Sequence, residues 1–113
     1  MTTVFGKILR GEIPCQKVYE DEQVLAFDDV APMAPVHVLI IPKAALSGLN
    51  DATPAQEALL GHLLATARKV AEQKGIAHSG YRVVVNSGSH GGQSVFHLHL
   101  HVLGGRPLGW PPG

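Results

Sequence analysis

"SVFHLHLHVLGG", residues 94–105, alternates strictly from position 96 to position 103. Successive side chains leave a β-strand on opposite sides, so strict alternation is the period of a half-buried strand. His97, His99 and His101 therefore share one face, and Leu98, Leu100 and Val102 share the other. The aliphatic face belongs to a core. Three imidazoles in register are an unusual choice for the outer face, and what they face is the functional question.

The surrounding chain supplies the rest of a sheet. "KVYED" (17–21) and "QVLAFDD" (23–29) read as two strands joined by the polar "EDEQ", a hairpin signal. "VHVLIIP" (36–42) is a β-branched run, hence a buried strand stopped by Pro42, and "YRVVVN" (81–86) is a fourth strand before the histidine-bearing fifth. Residues 3–10 suit a short helix ended by Gly11 and Pro14. Residues 54–74 form the one long helix, capped by Asp51 or Thr53, opened by Pro54 and ended by Gly75. Its apolar stripe runs through Leu59, Leu60, Leu63, Leu64, Ala67, Val70 and Ala71. Most strand connections are shorter than the dozen or so residues that a parallel crossover needs. The expected fold is α+β: a five-stranded, mainly antiparallel sheet with the long helix on one face and the histidines turned toward the other. No repeat or linker interrupts residues 1–113, which read as a single domain. Residues 104–113, rich in Pro and Gly, read as an extended tail.

Composition narrows the function. The chain has 113 residues, 45% of them hydrophobic, with nine Lys plus Arg against nine Asp plus Glu. That balance argues against a protein that grips nucleic acid by a basic surface, but a local site can still take a small anion. Cys15 is the single cysteine, so there is no disulfide framework and no cysteine zinc site; its plain reading is a semi-buried thiol without a role. No apolar run approaches the ~20 residues of a membrane span, and the N-terminus has no signal-peptide core. The expected setting is the cytoplasm, with no membrane contact.

Three chemistries compete for the histidines. Two of them, at i and i+2, lie ~6.6 Å apart on a strand and could share a zinc ion, with His37 from another strand as the third ligand. They could be ordinary polar groups on a solvated face, but that leaves "GGQS" (91–94) unexplained. Gly91 and Gly92 free the backbone to turn and present N–H groups, and Gln93 and Ser94 add donors, which suits a phosphate. The third option is nucleophilic attack at phosphorus by a neutral imidazole. Two charges ~6.6 Å apart cost ~2.5 kcal/mol at an effective dielectric of about 20, enough to separate neighbouring titrations by up to ~2 pK units. One imidazole thus stays neutral beside a protonated neighbour. His99, flanked by both others, is the natural nucleophile.

"HLHLHVL" (97–103) resembles the signature of the histidine triad superfamily of nucleotide hydrolases and transferases. With "FGKILRGEIP" (5–14), "LAFDDVAPMAPVHVLIIPK" (25–43), "VVVNSGSHGGQSVFHLHLHVLGGR" (83–106) and the ending "WPPG", the chain resembles the histidine triad nucleotide-binding branch, the purine nucleoside phosphoramidases. The resemblance spans nearly the whole chain. It implies a five-stranded α+β protomer whose sheet continues across a homodimer, and hydrolysis of purine nucleoside 5′-phosphoramidates, adenosine preferred, through a covalent nucleotidyl-histidine.

By that resemblance His99 is the nucleophile, His101 contacts the phosphate, and His97 orients the array. Ser94 or its neighbours help the amine leave, and His37 partners the triad rather than binding metal. Gly92, Gln93 and Ser94 form the phosphate loop, and Asn86 lies near it. Asp29 takes the ribose hydroxyls, with Asp28 beside it as the plain alternative. Val30, Phe5, Ile8, Phe27 and Leu39 wall the base pocket, and Leu39 could equally be core. No metal, cofactor or nucleic acid is implied; partners are the purine nucleotide, a second copy and, in some members, other proteins. A nucleotide-binding regulator with weak catalysis and a dinucleoside polyphosphate hydrolase are the alternatives. His62, His78 and His90 have no motif around them and read as surface residues.

Overall fold

A computed structural model describes residues 2–113. Five strands form one sheet in the order β1-β2-β3-β5-β4, every neighbouring pair antiparallel. They are β1 (Lys17–Glu20), β2 (Val24–Asp28), β3 (Val36–Pro42), β4 (Tyr81–Val84) and β5 (Leu100–Gly104). The hairpin of β1 and β2 forms as its polar turn predicts. β5 inserts between β3 and β4, which makes β4 one edge of the sheet.

Two helices cover the sheet. The short α1 (Val4–Leu9) is capped by Thr3, whose hydroxyl accepts the Gly6 N–H. The long α2 (Glu57–Gln73) follows a 3₁₀ turn at Pro54–Gln56, and Gln56 Oε1 accepts the Thr53 N–H at 2.8 Å. Leu59, Leu63, Ala67, Val70 and Ala71 of α2 bury against Val24, Ala26, Val38, Ile40, Leu98, Leu100 and Val102. Leu64, expected in that stripe, is exposed, because it falls beyond the arc that meets the sheet.

The opposite face carries a second apolar layer. Phe5 of α1 packs with Leu25, Phe27, Leu39 and Ile41, so each face of the sheet has its own apolar layer. The histidines lie on this second face: the Phe5 ring stands 5.0 Å from that of His99 and 6.3 Å from that of His97.

The histidine-bearing strand is shorter than its alternation predicts. β5 begins at Leu100, so of the three histidines only His101 lies in the ladder. Residues 96–99 keep the alternation of faces but pair differently. The Leu98 N–H donates to the Leu46 carbonyl at 2.7 Å, which draws the chain out of register with β3. β4 likewise stops at Val84 rather than at position 86. His62 also departs from its surface reading: it is half-buried, with Nε2 2.7 Å from Asp21 Oδ2, and joins α2 to the β1–β2 turn.

Candidate active site

Between α1, the end of β2 and the start of β5 lies a cleft of about 320 Å³. Phe5, Ile8, Phe27, Val30 and Leu39 supply its apolar wall, and Asp29, Ser94, His99 and His101 its polar end. Nine of the residues singled out from the sequence thus share one concavity, of a size suited to a small ligand. Val30 is 98% exposed at its rim.

Hydrogen bonds fix which nitrogen of each histidine carries its proton. His99 Nδ1 lies 2.8 Å from the His97 carbonyl, an acceptor only, so Nδ1 holds the hydrogen and Nε2 keeps its lone pair. His97 Nε2 lies 2.8 Å from the Pro42 carbonyl and must likewise donate. This ring is buried and does not line the cleft; it ties the triad to the end of β3, while the carbonyl of the same residue holds His99.

His37 and His101 form a directed pair. The Met33 N–H donates to His37 Nδ1 at 3.0 Å, so the proton of neutral His37 sits on Nε2. That Nε2 lies 2.9 Å from His101 Nδ1, which must then accept. The proton of His101 is left on its own Nε2, a buried atom with no partner in the protein. A buried donor without an acceptor is costly. His101 is among the residues that line the cleft, and this hydrogen is the one its ring has left to give.

Burial, more than the mutual repulsion expected from the ladder, holds His37, His97 and His101 below the ordinary imidazole range. His101 is pushed down to about 4, first by burial and then by His99 and His37. His97 and His37 are also lowered by burial, opposed by the Pro42 carbonyl in one case and Asp29 in the other. The unfolded chain therefore binds more protons than the folded one between about pH 6.5 and pH 4. Stability from these groups is present above pH 6.5 and is lost as the pH falls through that window. A melting temperature about 5–10 °C lower at pH 5 than at pH 7.5 is expected by calorimetry; no change would mean that the imidazoles are protonated in the fold.

The structure separates Asp28 from Asp29. Asp28 Oδ1 pairs with Lys74 Nζ at 2.9 Å, at the end of α2. Asp29 Oδ1 accepts the Ala31 N–H at 2.9 Å, and its Oδ2 lies 3.5 Å from His37 Nε2, beside the cleft. Asp29, His37 and His101 each bring one ligating atom within 4.8 Å of the others. The grouping is tight enough for a cation, but His37 Nε2 carries a hydrogen as long as the Met33 N–H occupies Nδ1, so the lone pair a metal needs is not on offer. The arrangement favours proton-directing chemistry.

Other residues fall elsewhere. Asn86 lines a groove at the β4 edge with Met33, Val84, Leu103 and Leu108, and is not in the cleft. Gly92 and Gln93 do not line the cleft either. Gln93 is buried and its carboxamide is spent within the protein: Oε1 accepts the Gly88 N–H at 3.0 Å, and Nε2 donates to the Ser47 and Val95 carbonyls at 2.7 and 3.1 Å. Gln93 thus pins the loop with its carboxamide. Gly91 is there for space, since a Cβ would lie 2.4 Å from the Ser87 carbonyl oxygen. Gly92 supplies the turn with a φ of 82°.

Several wall residues went unnoticed in the sequence: Val4, Ile13, Pro14, Cys15 and Val95. Cys15 and its neighbours follow α1 directly, so proximity to Phe5 and Ile8 was a usable signal. The Met33 N–H and the Pro42 and Ser47 carbonyls had none, because main-chain groups are common to all residues.

The chain is 59% identical to an uncharacterized HIT-like protein of Synechococcus elongatus, over 98% of this chain and 96% of that one. It is 51% identical to the purine nucleoside phosphoramidase of Escherichia coli K12, over 95% and 90% of the two chains. The crystal structure of a HIT family hydrolase from Legionella pneumophila superposes with a TM-score of 0.94 at 49% identity, covering 97% of this chain and 98% of that one. A family model described as HIT domain matches residues 10–108, a span that holds β1 to β5, both carboxylates and the whole triad. With sequence and fold in agreement, the chain belongs to the HIT domain family.

Proposed function

We propose that this protein is a nucleotidyl hydrolase that cleaves the P–N bond of purine nucleoside 5′-phosphoramidates. The observation that carries the reading is the opposed pair of tautomers at the polar end of the cleft: a lone pair on His99 Nε2 beside a partnerless N–H on His101 Nε2. Relatives named for that activity support it.

In this mechanism the base lies against Phe5, Ile8, Phe27, Val30 and Leu39, and Asp29 accepts from the ribose hydroxyls. His99 Nε2 attacks phosphorus. The imidazole becomes cationic as the N–P bond forms, and the His97 carbonyl on its Nδ1–H offsets that charge. His101 Nε2–H donates to a phosphoryl oxygen, as oxyanion donors do in acyl transfer. The P–N bond breaks, and the amine departs with a proton relayed by the Ser94 hydroxyl on the cleft lining, which regains one from the water of the next step. Water then attacks the nucleotidyl-histidine, releases the nucleoside monophosphate and restores His99. No step needs a metal or a cofactor.

The whole chain acts as one domain, with residues 104–113 as an arm toward a second copy. The groove at the β4 edge, the exposed Met33 and the 83% exposed Trp110 favour a homodimer paired along that edge; a single-chain mass in solution would remove this part of the reading. The cytoplasm is the setting that supplies such nucleotides, and among the described residues no helix is long and apolar enough to cross a membrane.

The test is turnover of an adenosine 5′-phosphoramidate carrying a fluorogenic amine, with and without EDTA. Release of amine and AMP at equal rates in both samples is expected. Saturable AMP binding with no release from any phosphoramidate would make the cleft a nucleotide sensor instead. Activity abolished by EDTA and restored by zinc would revive the metal reading.

A further inference from the structure

Asp29 stands at the meeting point of two tasks that the proposed reaction treats as separate. Its Oδ1 is committed to the Ala31 N–H at 2.9 Å, so Oδ2 is the less occupied oxygen. That same Oδ2 is 3.5 Å from His37 Nε2, the atom whose hydrogen sets the tautomer of His101. The carboxylate is 19% exposed and the His37 side chain 4%, so little water intervenes. His37 has one N–H on this side and two acceptors for it: His101 Nδ1 at 2.9 Å and Asp29 Oδ2 at 3.5 Å.

Resting on the reading above, we infer that Asp29 couples sugar recognition to phosphorus chemistry: ribose hydroxyls that donate to its carboxylate release the His37 N–H to His101, and so raise the rate of the chemical step as well as the affinity. One N–H aligns well with only one acceptor. An unoccupied carboxylate pulls that hydrogen off the line to His101 by its charge. Two hydroxyls donating to it disperse the charge and satisfy its lone pairs. His37 then donates wholly to His101 Nδ1, and the His101 ring is held with Nε2–H directed at the phosphoryl group. A substrate without the hydroxyls binds in the same cleft but meets a less well-held donor. Binding contacts remote from the reacting bond are then realised in the transition state. Asp29 acts here as a positioning residue for His101, through His37.

The experiment compares adenosine and 2′,3′-dideoxyadenosine 5′-phosphoramidates of one fluorogenic amine, with kcat and KM measured separately. In the wild-type protein the dideoxy substrate is expected to lose about tenfold or more in kcat, beyond any rise in KM. Asp29→Asn keeps an oxygen for the Ala31 N–H but removes the charge, and its two kcat values should agree within about threefold. Equal kcat in the wild type, with only KM raised, would overturn the coupling and leave Asp29 as an anchor. Undiminished kcat discrimination in Asp29→Asn would overturn it too. No turnover of the ribose substrate would instead overturn the phosphoramidase reading itself. The wild-type comparison needs no variant, so a misfolded mutant cannot obscure the outcome.

Discussion

His99→Ala is expected to lower kcat on an adenosine 5′-phosphoramidate by at least about 10⁴-fold while AMP affinity stays within about threefold. The split follows from where the ring sits. Its Nε2 is the unprotonated nitrogen that the cleft presents, because Nδ1–H is bound to the His97 carbonyl at 2.8 Å. No second nucleophile can take over. His97 lies buried with Nε2 donating to the Pro42 carbonyl, and the pairing with His37 leaves His101 Nε2 with a hydrogen rather than a lone pair. The apolar wall and Asp29 are untouched, so the nucleoside keeps its contacts. Measuring kcat alongside AMP binding by calorimetry checks both halves. Adding free imidazole to His99→Gly, where the missing ring leaves a space beside Phe5, should restore part of the turnover. Wild-type turnover by His99→Ala would move the nucleophile elsewhere, and loss of AMP binding would mean that the ring holds the nucleotide rather than attacking it.

His101→Phe should cost about 10²–10³-fold in kcat, the scale of losing one oxyanion donor. A phenyl ring fills nearly the same volume but removes both the unpartnered Nε2–H and the Nδ1 that accepts from His37. His37 retains Asp29 Oδ2 at 3.5 Å as an alternative acceptor, so the fold should survive. The variant has a second signature. His101 is the ring pushed down to about 4 by burial, and its removal leaves less proton uptake on unfolding between pH 6.5 and pH 4. The fall in melting temperature on acidification should be smaller than in the wild type. Lower kcat together with a flatter acid dependence would mark the ring as a buried neutral donor. A lower kcat with an unchanged acid dependence would place the titrating group elsewhere.

Periodicity makes much of this molecule legible in its sequence. Alternation put Leu98, Leu100 and Val102 into the core against α2 and the histidines on the other face, and that division holds although residues 96–99 are not in the ladder. Alternation reports the direction of a side chain, which survives a bend; it does not report the hydrogen-bond partner that makes a ladder. The long helix was readable for a similar reason. Its stripe and its opening at Thr53 and Pro54 are local patterns, and local patterns need no knowledge of the rest of the chain. Leu64 shows the limit: a stripe read at regular spacing does not say how wide the contact with the sheet will be.

Residue type and spacing settle the order of strands and helices, the two faces of the sheet and the membership of the triad, while most of the cleft's apolar wall comes from the family resemblance. Tertiary structure alone decided the chemistry within that frame. It gave Asp28 to Lys74 and left Asp29 beside His37. It placed Asn86 at the β4 edge and turned the Gln93 carboxamide inward to hold its loop. Above all it assigned the protons, through a carbonyl on His99, a main-chain N–H on His37 and a ring nitrogen on His101. The Pro42–His97 contact spans 55 positions, Ser47–Gln93 spans 46 and His37–His101 spans 64. A tautomer is a property of the atom across the hydrogen bond, and where that atom is a main-chain group or lies a half-chain away, only the folded chain can supply it.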